Sequence, residues 1–370
     1  MIPRIAALWF ACAAALSAVP VYIGTDTGPK TGSKGIYLAD FNPESGQLTA
    51  PQLAAEYRNP GFLARHPTHA VLLAIGAPNT PFADGGDSVA AFAIAADHSL
   101  KFLGEASTGG KGACHLAVAP DGRTVAVANY GDGHISTIRL DDHGVPGKLV
   151  SVIVNQGAGP NPSRQKGPHA HGVYFDKSGT RLFVPDLGVD QVRVYPCDPA
   201  SSALGGALPS LVTAPGAGPR HLAFSADGKN AYVINELDNT LLAATCEAGA
   251  FTAIGTVPTL PKDFTAANTT AEVEVSPDDR FVYASNRGHD SIAVFCRNEP
   301  SGALTFLQHA PCGGKTPRHF KIAPGGKWLL CAHMESHTIS VLPLDPESGT
   351  LATPVCTVSS PNPICILFAR

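Results

Sequence analysis

The fold of this chain is decided by residues 114–122 (CHLAVAPDG), 220–228 (RHLAFSADG) and 318–326 (RHFKIAPGG), each an apolar run that ends in a turn sequence. Four related segments complete a series of seven: residues 61–69, 171–179, 271–279 and 364–370. In chain order their starts are 53, 57, 49, 51, 47 and 46 residues apart. Self-similarity at such a period predicts a repeat architecture.

Each of these segments is followed by further short apolar runs. After residues 114–122 the runs begin at Thr124 (TVAVANYG), Ile135 (ISTIRLD) and Leu149 (LVSVIVN). β-Branched residues with Asp-Gly turns between them predict strands joined by tight hairpins. Four strands per unit, repeated at about 50 residues, are typical of a β-propeller blade.

The two ends of the chain supply complementary parts of one further unit. Runs at Val21 (VYIGT), at Gly35 (GIYLADF) and over residues 48–57 match the last three runs of a unit, and residues 364–368 supply the missing first run. We therefore predict an all-β, seven-bladed β-propeller with four-stranded antiparallel blades. Its closing blade would combine three N-terminal strands with one C-terminal strand, which removes open sheet edges. Residues 19–370 would then form a single domain.

Composition excludes several classes of protein. The 370 residues include 38 Gly and 32 Pro, only 15% are charged, and the formal net charge is -4. A hydrophobic share of 44% is too high for a disordered chain. The slightly negative balance argues against a nucleic-acid partner, and the scarcity of charge argues against coiled coils. Outside the N-terminus no stretch is apolar enough for stable membrane association.

Residues 1–18 have the pattern of a secretory signal peptide. Arg4 precedes an apolar stretch that ends in the small residues Ser17 and Ala18. Cleavage there predicts a periplasmic or secreted protein, whereas an uncleaved N-terminus would leave a cytoplasmic one. Removing the segment also removes Cys12 and leaves eight of nine cysteines, none in a C-x-x-C pair. Their spacing assigns no disulfide and fits buried free thiols.

Titratable residues recur where the first strand of each unit begins. The first such column is Gly61, Cys114, His171, Arg220, Ala271, Arg318 and Ile364, and the next is Phe62, His115, Gly172, His221, Glu272, His319 and Cys365. In a propeller these positions surround one mouth of the central channel. The shared column of three histidines favours a structural role for them, whereas His171 departs from it, which favours function.

Several segments carry a family resemblance: residues 167–173 (GPHAHGV), 184–192 (VPDLGVDQV), 218–224 (GPRHLAF), 232–240 (YVINELDNT), 283–295 (YASNRGHDSIAVF) and 316–320 (TPRHF). From about Val21 to Phe368 the chain resembles the lactonase family of seven-bladed propellers. That family includes propeller-type 6-phosphogluconolactonases and fungal-type 3-carboxy-cis,cis-muconate lactonizing enzymes. The resemblance implies a catalytic group of His171, Arg220, Glu236 and Arg287, with His169 as a near alternative to the first.

The chemistry of these residue types agrees with that implication. A Glu or His can act as a general base, and Arg can hold a substrate anion and a developing oxyanion. Glu236 between two arginines should have a depressed pKa, which makes His171 the better proton shuttle. An ordinary ion pair between Arg220 and Glu236 is the structural alternative. Strand starts and second-strand ends add candidates for substrate binding: His169, His115, Asp186, Asn235 and Arg318.

The resulting hypothesis is a 6-phosphogluconolactonase-like hydrolase that opens a sugar-acid lactone. We expect a monomer with a small-molecule lactone as substrate, no cofactor and no metal. Two alternatives stay open, a muconate-type lactonizing cycloisomerase and a non-catalytic propeller that serves as a binding platform. Residues 333–337 (HMESH) also allow a metal site, although a hairpin tip is the simpler interpretation.

Overall fold

The computed structural model describes residues 18–369, so the predicted signal peptide and Cys12 lie outside the described residues apart from Ala18. Among the described residues no helix has the length and apolar character to cross a membrane. The strands, in chain order, are β1 (Val19–Thr25), β2 (Gly35–Phe41), β3 (Gln52–Glu56), β4 (Leu63–Arg65), β5 (Val71–Gly76), β6 (Ser88–Ile94), β7 (Leu100–Ser107), β8 (Ala113–Val118), β9 (Thr124–Asn129), β10 (His134–Leu140), β11 (Pro146–Ile153), β12 (Tyr174–Phe175), β13 (Arg181–Asp186), β14 (Gln191–Pro196), β15 (Leu208–Val212), β16 (Pro219–Phe224), β17 (Asn230–Asn235), β18 (Thr240–Glu247), β19 (Ala250–Pro258), β20 (Thr269–Val275), β21 (Phe281–Arg287), β22 (Ser291–Asn298), β23 (Ala303–Pro311), β24 (Pro317–Ile322), β25 (Trp328–His333), β26 (Thr338–Pro343), β27 (Cys356–Ser359) and β28 (Pro363–Phe368).

These strands form seven four-stranded antiparallel sheets, which confirms the predicted propeller. From the channel outward the sheets are β4-β5-β6-β7, β8-β9-β10-β11, β12-β13-β14-β15, β16-β17-β18-β19, β20-β21-β22-β23, β24-β25-β26-β27 and β28-β1-β2-β3. The last sheet is the predicted closing blade. Val21 pairs with Phe368 and Ile23 with Ile366, so the C-terminal strand is the innermost one. Strand β28 contacts both β24 and β4, which closes the ring.

Seven apolar cores lie between neighbouring blades and hold the ring together. Strand β1 shows how one strand serves two of them. Val21 and Ile23 pack towards the blade of β25, whereas Tyr22 packs on the other face towards the blade of β5. Side chains alternate across a strand, so a strand buried on both faces is apolar at successive positions. Each such side chain contributes about 1.5–3 kcal/mol of burial free energy.

In five of the blades the turn that follows the inner strand has a residue in the left-handed region, as at Gly122, Gly179, Gly228, Asp279 and Gly326. Gly122 has a φ of 73°, and its N–H donates to the carbonyl of Ala119 at 2.9 Å. The Asp-Asp variant puts Asp279 at the equivalent place with a φ of 62°. Asp tolerates this conformation better than most residues, which explains why the Gly of the repeat can be replaced there.

The third blade departs from the regular pattern at its inner strand. Strand β12 contains only Tyr174 and Phe175, and Ala170 forms an isolated bridge with Asp186. The intervening His171 donates its N–H to the carbonyl of Pro185 at 2.9 Å. The chain therefore leaves the regular ladder of backbone hydrogen bonds at His171. This is the histidine that lies outside the column shared by His115, His221 and His319.

Candidate active site

A single buried carboxylate, that of Glu236, lies at the centre of a group of arginines. Nη2 of Arg164 is 2.6 Å from Oε1. Nε of Arg220 is 3.1 Å and Nη2 of Arg287 is 3.0 Å from Oε2. Both carboxylate oxygens are thus engaged, and the Glu236 side chain is only 5% exposed.

Neighbouring blades supply these side chains through the ends of their strands. Glu236 follows β17 directly, and its N–H donates to the carbonyl of Gly218 at 2.7 Å. Arg220 lies in β16, where its Nη1 donates to the carbonyl of Ala271 at 2.6 Å. Arg287 ends β21, and its Nη2 also donates to the carbonyl of Thr270 at 2.7 Å. The Arg220 guanidinium is therefore anchored to the backbone of the adjacent blade, and the Arg287 guanidinium to the inner strand of its own blade.

His171 completes the group. Its Nε2 lies 3.9 Å from Oε2 of Glu236, too far for a direct hydrogen bond. Burial lowers the pKa of His171 well below 6.5, and the charges of Arg220, His221 and Arg318 lower it further. The imidazole is consequently neutral at neutral pH and has a lone pair available.

The arginines set the protonation state of the carboxylate. Burial by itself raises the pKa of Glu236, but Arg287, Arg220 and Arg164 outweigh burial and lower the pKa from 4.5 to about 2. Burial lowers the pKa of Arg287 from 12.5 to about 9; Glu236 opposes this shift, and the charges of Arg220 and Arg318 add to it. At neutral pH the carboxylate and the Arg287 guanidinium are both charged, as the sequence predicted for Glu236.

A cavity of about 450 Å³ opens beside this group at the channel mouth. Arg220 lines it and so joins it to the Glu236 cluster. Cys114 also lines it, and its Sγ is 3.9 Å from Nδ1 of His171. Arg318 lines the same cavity, and no carboxylate among residues 18–369 is in ion-pair contact with it. Burial and the charge of Arg220 lower the pKa of Arg318 to about 10, which still leaves it charged at neutral pH.

A layer of aromatic and histidine side chains forms the floor of this cavity. The rings of Phe62 and His115 have centroids 4.1 Å apart, and those of His115 and Tyr174 are 4.9 Å apart. Nδ1 of His221 lies 3.0 Å from Oε2 of Glu272, and Nε2 of His319 lies 3.5 Å from the same oxygen. Phe62 and His319 also line a second cavity of about 440 Å³ on the opposite side. The layer thus divides the central channel into two compartments.

Comparison with known proteins decides the family. Residues 20–368 match the family model described as Lactonase, 7-bladed beta-propeller. The chain belongs to this lactonase family. Over 350 residues it is 36% identical to the 6-phosphogluconolactonase of Bacillus subtilis (strain 168), covering 94% of this chain and 97% of that protein.

Other members of the lactonase family are similar over nearly the whole chain. A protein named 6-phosphogluconolactonase from Formosa agariphila is 31% identical, with 90% of this chain and 94% of that protein covered. The solved structure of the periplasmic gluconolactonase of Pseudomonas aeruginosa superposes with a TM-score of 0.89 at 29% identity, over 96% of this chain and 99% of that one.

The other residues predicted from the sequence occupy several different places. His169 stacks on Tyr130, and its Nδ1 is 2.7 Å from the Tyr130 carbonyl, at the edge of the Glu236 group. Asp186 is fully buried and accepts hydrogen bonds from the N–H groups of His169 and Gly188. Asn235 donates from Nδ2 to Thr240 Oγ1 within its own hairpin. Asp186 thus holds the backbone at His169 and Gly188, and Asn235 holds its own hairpin; contact of either residue with substrate stays a prediction.

Two features of this lactonase-family site were not predicted from the sequence, namely the place of His115 in the channel and the contacts of Arg164. His115, predicted to bind substrate, belongs to the floor layer and lines the far cavity. Arg164, which was not singled out, contacts both Glu236 and the hydroxyl of Tyr130. It lies in the long loop before β12, outside every repeat position, so no column marks it. Its only signal is its place in a Pro- and Gly-rich loop a few residues before His169.

Proposed function

We propose that this protein hydrolyses the cyclic ester of a sugar-acid lactone at the Glu236 group. One observation carries the proposal. A buried carboxylate is in contact with three guanidiniums, with the neutral imidazole of His171 3.9 Å from it. A structural ion pair needs one cation, and additional buried cations destabilise a fold unless a ligand offsets them. Perturbed charged groups of this kind beside a cavity are typical of functional sites.

The charge balance indicates what kind of ligand the site accepts. Arg164, Arg220, Arg287 and Arg318 outnumber the carboxylates near them, Glu236 among the arginines and Asp26 in the cavity lining. The excess positive charge suits a substrate that carries an anion or develops one during the reaction. Lactone hydrolysis does the latter, because attack on the carbonyl carbon makes a tetrahedral oxyanion. Forked guanidinium donors stabilise such an oxygen, and they do so strongly in a site shielded from water.

In this proposal His171 carries out the proton transfers. A water oxygen can lie about 2.8 Å from both His171 Nε2 and Glu236 Oε2, since the two atoms are 3.9 Å apart. The water attacks the lactone carbonyl carbon while Nε2 accepts its proton. When the ring C–O bond breaks, the imidazolium returns that proton to the leaving alkoxide. Glu236, ionised throughout, orients the water and stabilises the imidazolium.

The chemistry of the lactone is proposed from the relatives and from the N-terminus. Two relatives are named for a phosphorylated lactone, and the periplasmic gluconolactonase of P. aeruginosa for an unphosphorylated one. Phosphorylated sugar lactones arise inside cells. If residues 1–18 are a cleaved signal peptide, the mature protein meets an unphosphorylated sugar-acid lactone. N-terminal sequencing of protein recovered from the periplasm tests that cleavage directly.

A hydrolysis assay tests the function. Purified protein is given glucono-δ-lactone and its 6-phosphate in a pH-stat, and rates are compared with the uncatalysed rate in the same buffer. We expect turnover of at least one lactone and its loss in Arg287→Ala. Rates equal to the uncatalysed rate for both lactones would contradict hydrolysis. A parallel cuvette with a carboxymuconate, followed by loss of ultraviolet absorbance, detects a cycloisomerase instead.

A further inference from the structure

A second cluster of reactive side chains lies apart from the Glu236 group, between β23 and the β25–β26 hairpin. Cys312 follows β23, and Cys331 and His333 lie in β25. All three side chains are fully buried, with an exposed fraction of 0%. Their two sulfurs and one ring nitrogen all lie within 4.8 Å of one another. The sequence alone had pointed to His333 with His337, but it is the two cysteines that the fold brings to His333.

The distances in this cluster are those of ligands around one ion. Nδ1 of His333 is 3.8 Å from the sulfur of Cys312 and 4.0 Å from the sulfur of Cys331. Zinc–sulfur bonds of about 2.3 Å and zinc–nitrogen bonds of about 2.0–2.1 Å place such ligands about 3.6 Å apart at a tetrahedral angle and about 3.8 Å apart at a trigonal one. The ring nitrogen therefore needs to move by only a few tenths of an ångström relative to each sulfur to share an ion with them, and the two sulfurs lie within 4.8 Å of each other.

The hydrogen bonds around His333 leave the correct nitrogen free for a metal. The hydroxyl of Ser340 donates its single proton to the carbonyl of Cys312 at 2.6 Å. Nε2 of His333 is 2.8 Å from the same hydroxyl, so Nε2 must carry the ring proton and donate it. The lone pair is then on Nδ1, which faces both sulfurs. Metal-bound histidines are typically oriented by such a hydrogen bond from the other ring nitrogen.

Charge and geometry together select the ion. The geometry points to a structural Zn²⁺ site formed by Cys312, Cys331 and His333. Two thiolates and a neutral imidazole around Zn²⁺ have no net charge, which suits a fully buried site. A monovalent soft ion such as Cu⁺ would leave a buried negative charge. The carbonyl of Gly314, 3.5 Å from the Cys312 sulfur, lies at the separation expected for a fourth, oxygen ligand, about 3.6 Å.

The ion would fix a loop that matters for the proposed active site. Cys312 begins the loop that leads into β24, and Arg318 is the second residue of that strand. Met334, next to His333, lines the same cavity as Arg318. Zinc would therefore tie the Arg318 loop to β25 without contacting the substrate. Binding would release the thiol protons, one of which Cys312 donates to the carbonyl of Asp290 in the metal-free protein.

Zinc content measured on the full chain tests the site. Protein is reduced, stripped with a chelator, desalted, supplied with Zn²⁺ and desalted again. We expect one Zn²⁺ retained per chain and a melting temperature higher by about 5 °C. Cys331→Ser and His333→Asn should retain none, whereas Cys197→Ser, which removes a buried cysteine in another blade, should retain one. No zinc on the reduced wild type, or equal zinc on Cys331→Ser, overturns the proposal.

Two measurements on the wild type keep the test decisive if the variants fail to fold. X-ray absorption at the zinc edge should show two sulfur ligands near about 2.3 Å with nitrogen or oxygen completing the shell. A shell without sulfur overturns the site. Mass spectrometry of unreduced protein separates zinc binding from the competing chemistry of the two thiols. A Cys312–Cys331 disulfide, with no zinc uptake once it is reduced, would mean that the pair is a redox couple and not a metal site.

Discussion

Nη2 of Arg287 lies 3.0 Å from Oε2 of Glu236, and this contact joins two neighbouring blades at the channel mouth. Arg220 approaches the same oxygen from within the blade of Glu236, and Arg164 approaches the other oxygen from a loop. The carboxylate thus holds together cations that would repel one another without it. Removing that charge should therefore change both the activity of the site and the stability of the folded protein.

Glu236→Gln should abolish most of the lactonase activity. The amide has nearly the same shape but cannot balance the guanidiniums or stabilise a protonated His171. We expect kcat/KM to fall by at least about 100-fold, the size of effect typical for a group acting in proton transfer. Glu274→Gln is the matched control, because Glu274 is a largely buried carboxylate paired with Lys321 in the other channel compartment. Equal losses in both variants would place Glu236 outside the mechanism.

The same substitution should change acid stability in a defined window. The pKa of Glu236 is lowered from 4.5 to about 2 on folding, so its charge stabilises the folded state above pH 4.5. That stabilisation is lost as the pH falls through 2. The wild type should exceed Glu236→Gln by about 3 kcal/mol in free energy of unfolding at pH 7, a gap that closes between pH 4.5 and pH 2. Urea unfolding measured at several pH values checks it, and a gap that is constant with pH would exclude this charge as its source.

Arg164→Lys should lower kcat more than it raises KM. Lysine keeps the charge but cannot contact both Glu236 Oε1 and the Tyr130 hydroxyl as the guanidinium does. Loss of that alignment should lower kcat roughly 10-fold, because it shifts the carboxylate that orients the water. Arg181→Lys is the control, since Arg181 is about as exposed and pairs with Asp176. Steady-state kinetics that leave Arg164→Lys at wild-type rates would argue against this role.

The sequence predicted the features that repeat. The apolar runs, their turns and the split closing blade follow from a period that every blade must satisfy, since each strand such as β1 is buried on two faces. Residues at fixed places in that repeat were found as well. Arg220, Glu236 and Arg287 all sit at strand starts or ends, and the structure brings them together with His171.

The features that escaped prediction depend on loops or on contacts between blades. Arg164 reaches Glu236 across 72 residues from a loop of no repeat position. The meeting of Cys312 with Cys331 and His333 depends on how two consecutive blades pack, which spacing along the chain does not encode. His115 was placed on the expected column, but its contact with Phe62 at a ring-centroid distance of 4.1 Å was not predicted. Contacts of this kind depend on how loops and blades are arranged in three dimensions, which a repeat in the sequence does not specify.

Arg318→Gln should weaken substrate binding with little effect on turnover. Arg318 lines the cavity beyond the Glu236 contacts, so it is placed to hold a remote anion or hydroxyl of the substrate, not the reacting carbonyl. We expect KM to rise about 10-fold or more with kcat within a few-fold of wild type, and Arg318→Lys to recover part of the loss. A selective loss of kcat would instead move Arg318 into the reaction itself.

Binding of an anion should raise the pKa of His171. In the free protein burial, Arg220, His221 and Arg318 hold that pKa well below 6.5. A bound carboxylate or phosphate would offset the two arginines, so the imidazole should become a better proton acceptor only when the site is filled.

Nuclear magnetic resonance titration of the ring C–H signals, with and without gluconate or inorganic phosphate, measures the change, and His171→Gln assigns the signal. His309 is the internal control, because burial lowers its pKa without a neighbouring arginine and no added anion should alter it. An increase of about one pKa unit for His171 alone corresponds to about 1.4 kcal/mol of interaction with the anion. If His171 titrates identically with and without either anion, its proton affinity does not depend on the filled site, and the proposed sequence of proton transfers has to be assigned to another group.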